Sequence, residues 1–211
     1  MDGKIYSEGI ISRLSQYLKY VVQLKEAGKR TVTSKEIAKN TKINSAEVRR
    51  DLIYFGIKGK RGVGFGIEDL IISFKNILGY NKQVRIVLVG AGNLGRAILN
   101  YKMLSKFGFK IEFVFDNNPL VVNTKINGYK VNDINMIKKT IRKNEINIAI
   151  IAVPPDSAQK VTDLLVESGI KVIINYTSEP VKAPPHVNIQ TTDPIEKLLH
   201  TLYYLSHTGY K

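Results

Sequence analysis

Two groups of residues have types and spacings that can do chemistry. The first is Gly90-Ala91-Gly92-Asn93-Leu94-Gly95, a G-x-G-x-x-G run between the apolar stretch Val84 to Val89 and the helix-like Arg96-Ala97-Ile98-Leu99. Strand, glycine turn and helix start in that order make a phosphate site. Gly90 permits the tight turn, Gly92 lets backbone approach a pyrophosphate, Gly95 allows helix to pack closely on strand, and the helix N-terminus attracts the phosphates. Asp116 stands 21 residues past Gly95, where a second apolar run, Ile111 to Phe115, ends. A carboxylate there accepts hydrogen bonds from an adenosine ribose and repels a 2′-phosphate, which favours NADH and NAD+ over their 2′-phosphorylated forms. Asn117 follows it on the same expected ligand edge. Val153-Pro154-Pro155 closes a later strand and either joins that edge or simply starts the next helix.

The second group is cationic. Residues 28 to 61 hold ten Lys or Arg against Glu36, Glu47 and Asp51. Within them, a helix from Ser45 to Tyr54 presents Arg49 and Arg50, and the glycine-rich segment Gly56 to Gly64 presents Lys58, Lys60 and Arg61. Helices followed by a glycine hairpin follow the plan of a winged helix-turn-helix, whose third helix enters the major groove while the wing touches backbone or minor groove. Long cations suit this because neutralising phosphates releases counterions, and an arginine fork reads guanine or sits in a narrow minor groove. A solvated helical bundle with ordinary surface lysines is the plainer reading. The three cations in four positions of the hairpin weigh against it.

The elements that must position these groups follow two grammars. Up to about residue 79 the period is helical. Ile10, Ile11, Leu14, Tyr17, Leu18, Val21, Val22 and Leu24 form one stripe that ends at Ala27-Gly28. Thr33-x-x-Glu36 and Asn44-x-x-Glu47 read as capping boxes that start two further helices. From residue 84 short apolar runs (84–89, 111–115, 146–153, 172–174) alternate with expected helices at 93–106, 133–143 and 156–168. Such βαβ alternation implies a parallel sheet covered on both faces. A last apolar helical stripe holds Ile195, Leu198, Leu199, Leu202, Tyr203 and Leu205, with Asp193 as its N-cap. The expected α/β organisation is a winged helix-turn-helix domain over 1–80, a Rossmann-like parallel-sheet dinucleotide-binding domain over 81–190, and a C-terminal helix over 191–211.

Composition narrows the classes. The 211 residues carry a formal charge of +14, which favours a polyanionic partner such as nucleic acid or an acidic membrane face. There is no cysteine, so disulfides, thiolate metal sites and a cysteine nucleophile are excluded. His186, His200 and His207 lack the spacing of a helical metal pair, so no metal is expected. No apolar run approaches the roughly 18 residues of a membrane span, and the first residues lack the pattern of a secretory signal, so a cytoplasmic protein is expected. No proton relay for hydride transfer stands out, and no room remains for a substrate domain.

Taken together the motifs resemble the Rex redox-sensing transcriptional repressors of bacteria from about Ile10 to Leu205. The resemblance is carried by Ile11-Ser-Arg13-Leu-x-x-Tyr-Leu18, Val48-Arg-Arg-Asp-Leu-x-Tyr-Phe-Gly56, Arg61-Gly-Val-Gly64, Val89-Gly-Ala-Gly-Asn-Leu-Gly95, Phe115-Asp116, Ile151-Ala-Val-Pro154 with Ala158-Gln159, Gly169-Ile-Lys171 and Ile174-Asn175. It implies homodimers that bind operator double-stranded DNA through paired winged helices and release it when NADH binds. It also implies that the final helix packs on the partner subunit, that Tyr101 lies near the nicotinamide, and that Arg13, Tyr101 and Asp193 are the switching residues. Three places depart from the family pattern: Asn117 to Leu120, Phe65 at the end of the wing motif, and Pro194 after Asp193. The rival readings are a small NAD-dependent oxidoreductase with a basic accessory domain, and a regulator that senses another adenine nucleotide.

Overall fold

The computed structural model describes residues 5–80 and 82–192 together with Ile195, Leu198 and Leu202. The chain divides into two compact units between Gln83 and Val84, where the sequence reading set the boundary after residue 80. Most of the expected C-terminal helix, Asp193 and Pro194 included, lies outside the described residues.

In the first unit α1 (Glu8–Glu26) buries Leu14, Tyr17, Leu18, Val21, Val22 and Leu24, the inward part of the predicted stripe. Also buried in this unit are Ile37 of α2 (Ser34–Thr41), Val48 and Leu52 of α3 (Ser45–Tyr54), and Leu70 and Phe74 of α4 (Ile67–Ile77). The Tyr17 and Phe74 ring centroids lie 6.3 Å apart. Thr33 and Glu36 form the expected reciprocal box at the start of α2. The second box is a correction. Asn44 does cap α3 by accepting from the Ala46 N–H at 2.8 Å, but Glu47 points to Arg13 of α1 at 3.3 Å instead of back to its own helix start.

The short strand β1 (Thr31–Val32) pairs antiparallel with β2 (Phe65–Gly66). Between α3 and β2, Lys60 and Gly64 exchange backbone hydrogen bonds of 2.7 and 2.9 Å and close the wing. Gly64 has φ +94°, and a Cβ there would stand 2.5 Å from the Val32 carbonyl oxygen, so the wing root admits no side chain.

The second unit holds a seven-stranded sheet in the order β5-β6-β4-β3-β7-β8-β9 among the described residues. Its strands are β3 (Val84–Val89), β4 (Phe109–Asp116), β5 (Lys125–Ile126), β6 (Tyr129–Asp133), β7 (Ile148–Ile151), β8 (Val172–Asn175) and β9 (Asn188–Thr191). Only β5 runs antiparallel to its neighbour. Alternate residues of β3 face opposite ways: Val87 and Val89 join one core with Phe115, Ile137, Ile141 and Leu165, while Ile86 and Leu88 join another with Ile98, Val114 and Val131. Helices α7 (Ile137–Asn144) and α8 (Pro155–Ser168) supply side chains to the first core and α5 (Asn93–Leu99) to the second. That is the doubly wound arrangement of a dinucleotide-binding sheet, in which the strand order reverses between β3 and β7.

Several expected bounds shift. The helix read over 93–106 breaks after Leu99 and resumes as the single turn α6 (Met103–Lys106). The run 146–153 is strand only over Ile148–Ile151. The helix read from 133 starts as a 3-10 turn at Ile134, because Asp133 ends β6 and its carboxylate accepts from the Asn135 N–H. Three strands of the seven-stranded sheet, β5, β6 and β9, have no counterpart among the apolar runs of the sequence.

Candidate nucleotide crevice and nucleic-acid interface

At the carboxyl ends of β3, β4 and β7 lies a crevice of about 260 Å³. It is lined by Val89, Gly90 and Gly92, by Asp116, Asn117, Asn118 and Ile134, and by Ala152, Val153, Pro154, Ser157 and Val161. This is the position where open α/β sheets bind ligands, at the point of strand-order reversal.

Steric limits explain the glycines. Gly90 has φ +103°, and a Cβ on it would collide with the Ala152 carbonyl as the chain turns off β3 over the end of β7. A Cβ on Gly95 would collide with the Gly90 carbonyl oxygen, so α5 can sit this close to the turn only without one. A Cβ at Gly92 would meet nothing within 4 Å, so the backbone there is open to the crevice that Gly92 lines.

The Asp116 carboxylate is already in use. It accepts from the Ala91 N–H at 2.7 Å and from the Asn118 N–H at 2.8 Å, which ties the glycine turn to the end of β4. A carboxylate has roughly four acceptor sites, so two remain for ribose hydroxyls. From the other side Arg96 Nε donates to the Ala91 carbonyl at 3.2 Å. The turn is thus held before any ligand arrives. An open glycine backbone, a fixed carboxylate and apolar walls at Ile134 and Val161 fit the pyrophosphate and adenosine parts of a dinucleotide.

Of the expected ligand residues, Gly90, Gly92, Asp116, Asn117, Val153 and Pro154 line the crevice. Ala91, Asn93, Leu94 and Gly95 do not: Ala91 and Gly95 are buried in the turn, and Asn93 and Leu94 face solvent. Tyr101, 57 % exposed after the end of α5, is not among the residues that line the crevice. Sequence reasoning did not bring Ile134, Ala152, Ser157 or Val161 to the crevice, and Asn118 entered that reasoning only as one of the departures from the family pattern. A signal for Asn118 was present in the Asp-Asn-Asn run, which favours a side-chain-to-backbone turn.

The residues of the cationic group all belong to the first unit. Arg49, Arg50 and Tyr54 lie exposed on α3, and Lys58, Lys60 and Arg61 are exposed on the wing; Ser45 is half-buried at the start of α3. Tyr54 packs edge-on against Tyr6 and Phe55 at centroid distances of 6.1 and 5.3 Å.

What orients α3 is a cluster that the sequence reading did not assemble. Asp51, buried on the inner side of α3, accepts from Arg13 Nε at 2.7 Å and Nη2 at 2.8 Å, and from the Tyr17 hydroxyl at 2.8 Å. Burial pushes the Asp51 carboxyl up, but the hydrogen bonds from Arg13 and Tyr17 outweigh it and hold it below the usual carboxylate range. Burial and the same carboxylate push the Tyr17 hydroxyl up. Arg13, expected as a switching partner of Asp193, is therefore engaged with α3, while Asp193 lies outside the described residues.

Among the described residues no helix is long and apolar enough to cross a membrane, and no three His, Cys, Asp or Glu are placed to hold a metal ion.

Comparison with known proteins bears on both sites. A family model described as "CoA binding domain" matches residues 81–179, and one described as "Putative DNA-binding protein N-terminus" matches residues 7–52. A curated relative from Rubrobacter xylanophilus, named redox-sensing transcriptional repressor Rex, is 44 % identical over 198 residues, covering 94 % of this chain and 92 % of that one. A relative of the same name from Carboxydothermus hydrogenoformans is 41 % identical, covering 92 % and 93 %. Among solved structures, RSP, a Rex-family repressor, in complex with β-NAD+ and operator DNA matches with a TM-score of 0.82 at 33 % identity, covering 98 % of this chain and 94 % of that one. RSP in complex with β-NADH matches with a TM-score of 0.80 at 32 % identity, covering 98 % and 96 %.

Proposed function

This chain belongs to the Rex family of redox-sensing transcriptional repressors, and from that premise we propose how its residues divide the work. The protein is a DNA-binding repressor that senses NADH and NAD+, and it is not an enzyme; its relatives are named repressors, not oxidoreductases. The observation that carries the division of labour is the crevice at the β3/β7 reversal, with Asp116 already fixed to the glycine turn. Gly90 to Gly95 hold the pyrophosphate, Asp116 and Asn117 the adenine-side ribose, and Val153-Pro154 the edge toward the nicotinamide. Ser45, Arg49, Arg50 and Tyr54 of α3 meet the major groove, and Lys58, Lys60 and Arg61 of the wing meet the flanking backbone or minor groove. The protein acts as a homodimer on operator DNA in the cytoplasm, with half-sites about one helical turn, roughly 34 Å, apart.

NAD+ and NADH differ at the nicotinamide by one positive charge and by ring planarity, so only groups near that ring can tell them apart. Moving an equilibrium from 1:99 to 99:1 takes about 5.5 kcal/mol of differential binding, or roughly 3 kcal/mol at each of two sites. Tyr101, Asp193 and Arg13 are the residues proposed to report the ring's state. The Arg13 hydrogen bonds to Asp51 mean that any exchange toward Asp193 draws the guanidinium off α3, the DNA-reading helix itself. The test is a titration of DNA-bound protein with NADH, NAD+ and ATP. NADH should release the DNA and the other two should not; release by ATP would transfer the reading to a sensor of adenine nucleotides in general.

A further inference from the structure

The outward face of α3 carries more than cations. Residues 46, 49, 50 and 53 share one side of a helix with 3.6 residues per turn, and Ala46, Arg49, Arg50 and Ile53 are all exposed. Ile53 stands out at 73 % exposure, whereas Val48 and Leu52 of the same helix are buried. It is also held firmly. The Phe55 N–H donates to Asp51 O at 3.1 Å, the Gly56 N–H to Ile53 O at 2.8 Å and the Ile57 N–H to Leu52 O at 2.8 Å, so the carbonyls of Asp51, Leu52 and Ile53 at the end of α3 are all bonded. A β-branched side chain on such a helix has essentially one χ1 rotamer. The result is a rigid apolar group presented to solvent one turn beyond two arginines.

We propose that Ile53 is a specificity-determining residue of the DNA interface, packing against the C5-methyl group of a thymine in the major groove. The inference rests on the reading of α3 as the helix that enters that groove. Thymine is the base whose major-groove edge offers a methyl group; the remaining groups on the base edges are donors and acceptors, which an isoleucine would desolvate without satisfying. One helical turn, about 5.4 Å, separates the arginines from Ile53, against about 3.4 Å per base step. The thymine therefore lies within one or two steps of the base pair that Arg49 or Arg50 contacts. Ala46, on the other flank of the arginines, offers a smaller contact of the same kind.

The test uses the full-length protein and duplexes that it selects from a random-sequence library. Each thymine of a selected half-site is replaced in turn by deoxyuridine, which removes the methyl group and keeps the base pairing. Affinities are measured for the wild type and for Ile53→Ala. At one thymine per half-site the wild type should lose roughly fourfold, and about fifteenfold when both half-sites are changed, the effect of one buried methyl each. Ile53→Ala should bind the thymine duplex more weakly and lose nothing further on deoxyuridine. Indifference of the wild type to every replacement would overturn the inference, as would a loss that Ile53→Ala shows in full; in both cases α3 remains a DNA-binding helix. If no duplex is selected at all, the reading of α3 falls and the inference with it.

Discussion

Asp51 carries the heaviest local load in the first unit. It is a buried carboxylate with three hydrogen bonds from two residues of α1. Removing one partner of such a set leaves charge without compensation, so Asp51→Ala should destabilise the unit by about 2 kcal/mol, measured by urea unfolding. Unchanged stability would show that the cluster does not hold α3. The pH dependence follows from the depressed carboxyl: its contribution is complete above the usual carboxylate range and is lost as pH falls through the lower folded value. Glu36, lowered to about 2 by the Thr33 N–H and Lys29, acts in the same direction at the start of α2. At the other end, Tyr17 is raised, so its contribution is complete below the ordinary tyrosine value and declines as pH climbs above it. Urea midpoints of the first unit should fall at both extremes. At the crevice, Asp116→Ala removes both the expected ribose acceptor and the anchor of the Ala91 N–H. It should weaken NADH binding at least tenfold, at roughly 1.4 kcal/mol or more for a hydrogen bond to a charged group, while ligand-free protein still binds DNA. An unchanged NADH titration would remove Asp116 from the site.

Elements fix how these groups meet, and one glycine tests that directly. Gly95→Ala places a methyl group against the Gly90 carbonyl, so α5 must move away from the turn. About 1 to 3 kcal/mol of overpacking is expected in the second unit, and NADH binding should be lost while the DNA-binding unit is untouched. Normal NADH affinity would mean that the turn does not need this approach. Much of this arrangement was legible in the sequence because it rests on local steric rules: glycine spacing after an apolar run, a Thr-x-x-Glu box, an apolar stripe at helical period. What was hidden depends on partners far along the chain. Glu47 leaves its capping box for Arg13, 34 residues away, and no local pattern shows that. The pair Asn127-Gly128, with φ of 50° and 84°, is a readable hairpin signal that joins β5 to β6; it was obscured because the flanking strands are short and charged. β9, Asn188–Thr191, is mostly polar and at the sheet edge, so it carries no apolar run to detect. Crevice residues such as Ile134 and Val161 look like core positions until the fold brings them to the ends of the strands.

The whole molecule couples two tasks, and their independence in parts is a prediction. Arg49→Ala and Arg61→Ala should weaken operator binding and reduce the slope of log affinity against log salt by about one for each DNA phosphate that the variant no longer neutralises, with NADH affinity unchanged. Loss of NADH binding in these variants would contradict the division between the cationic helix with its wing and the glycine crevice. Reduced dinucleotide bound at the glycine turn is expected to control the grip on DNA. The most direct measurement is fluorescence anisotropy of a labelled operator duplex bound to the full-length protein, titrated with NADH and separately with NAD+. NADH should free the duplex while NAD+ leaves it bound, and Asp116→Ala should shift the NADH response to higher concentration; release by both nucleotides alike, or by neither, would contradict this control.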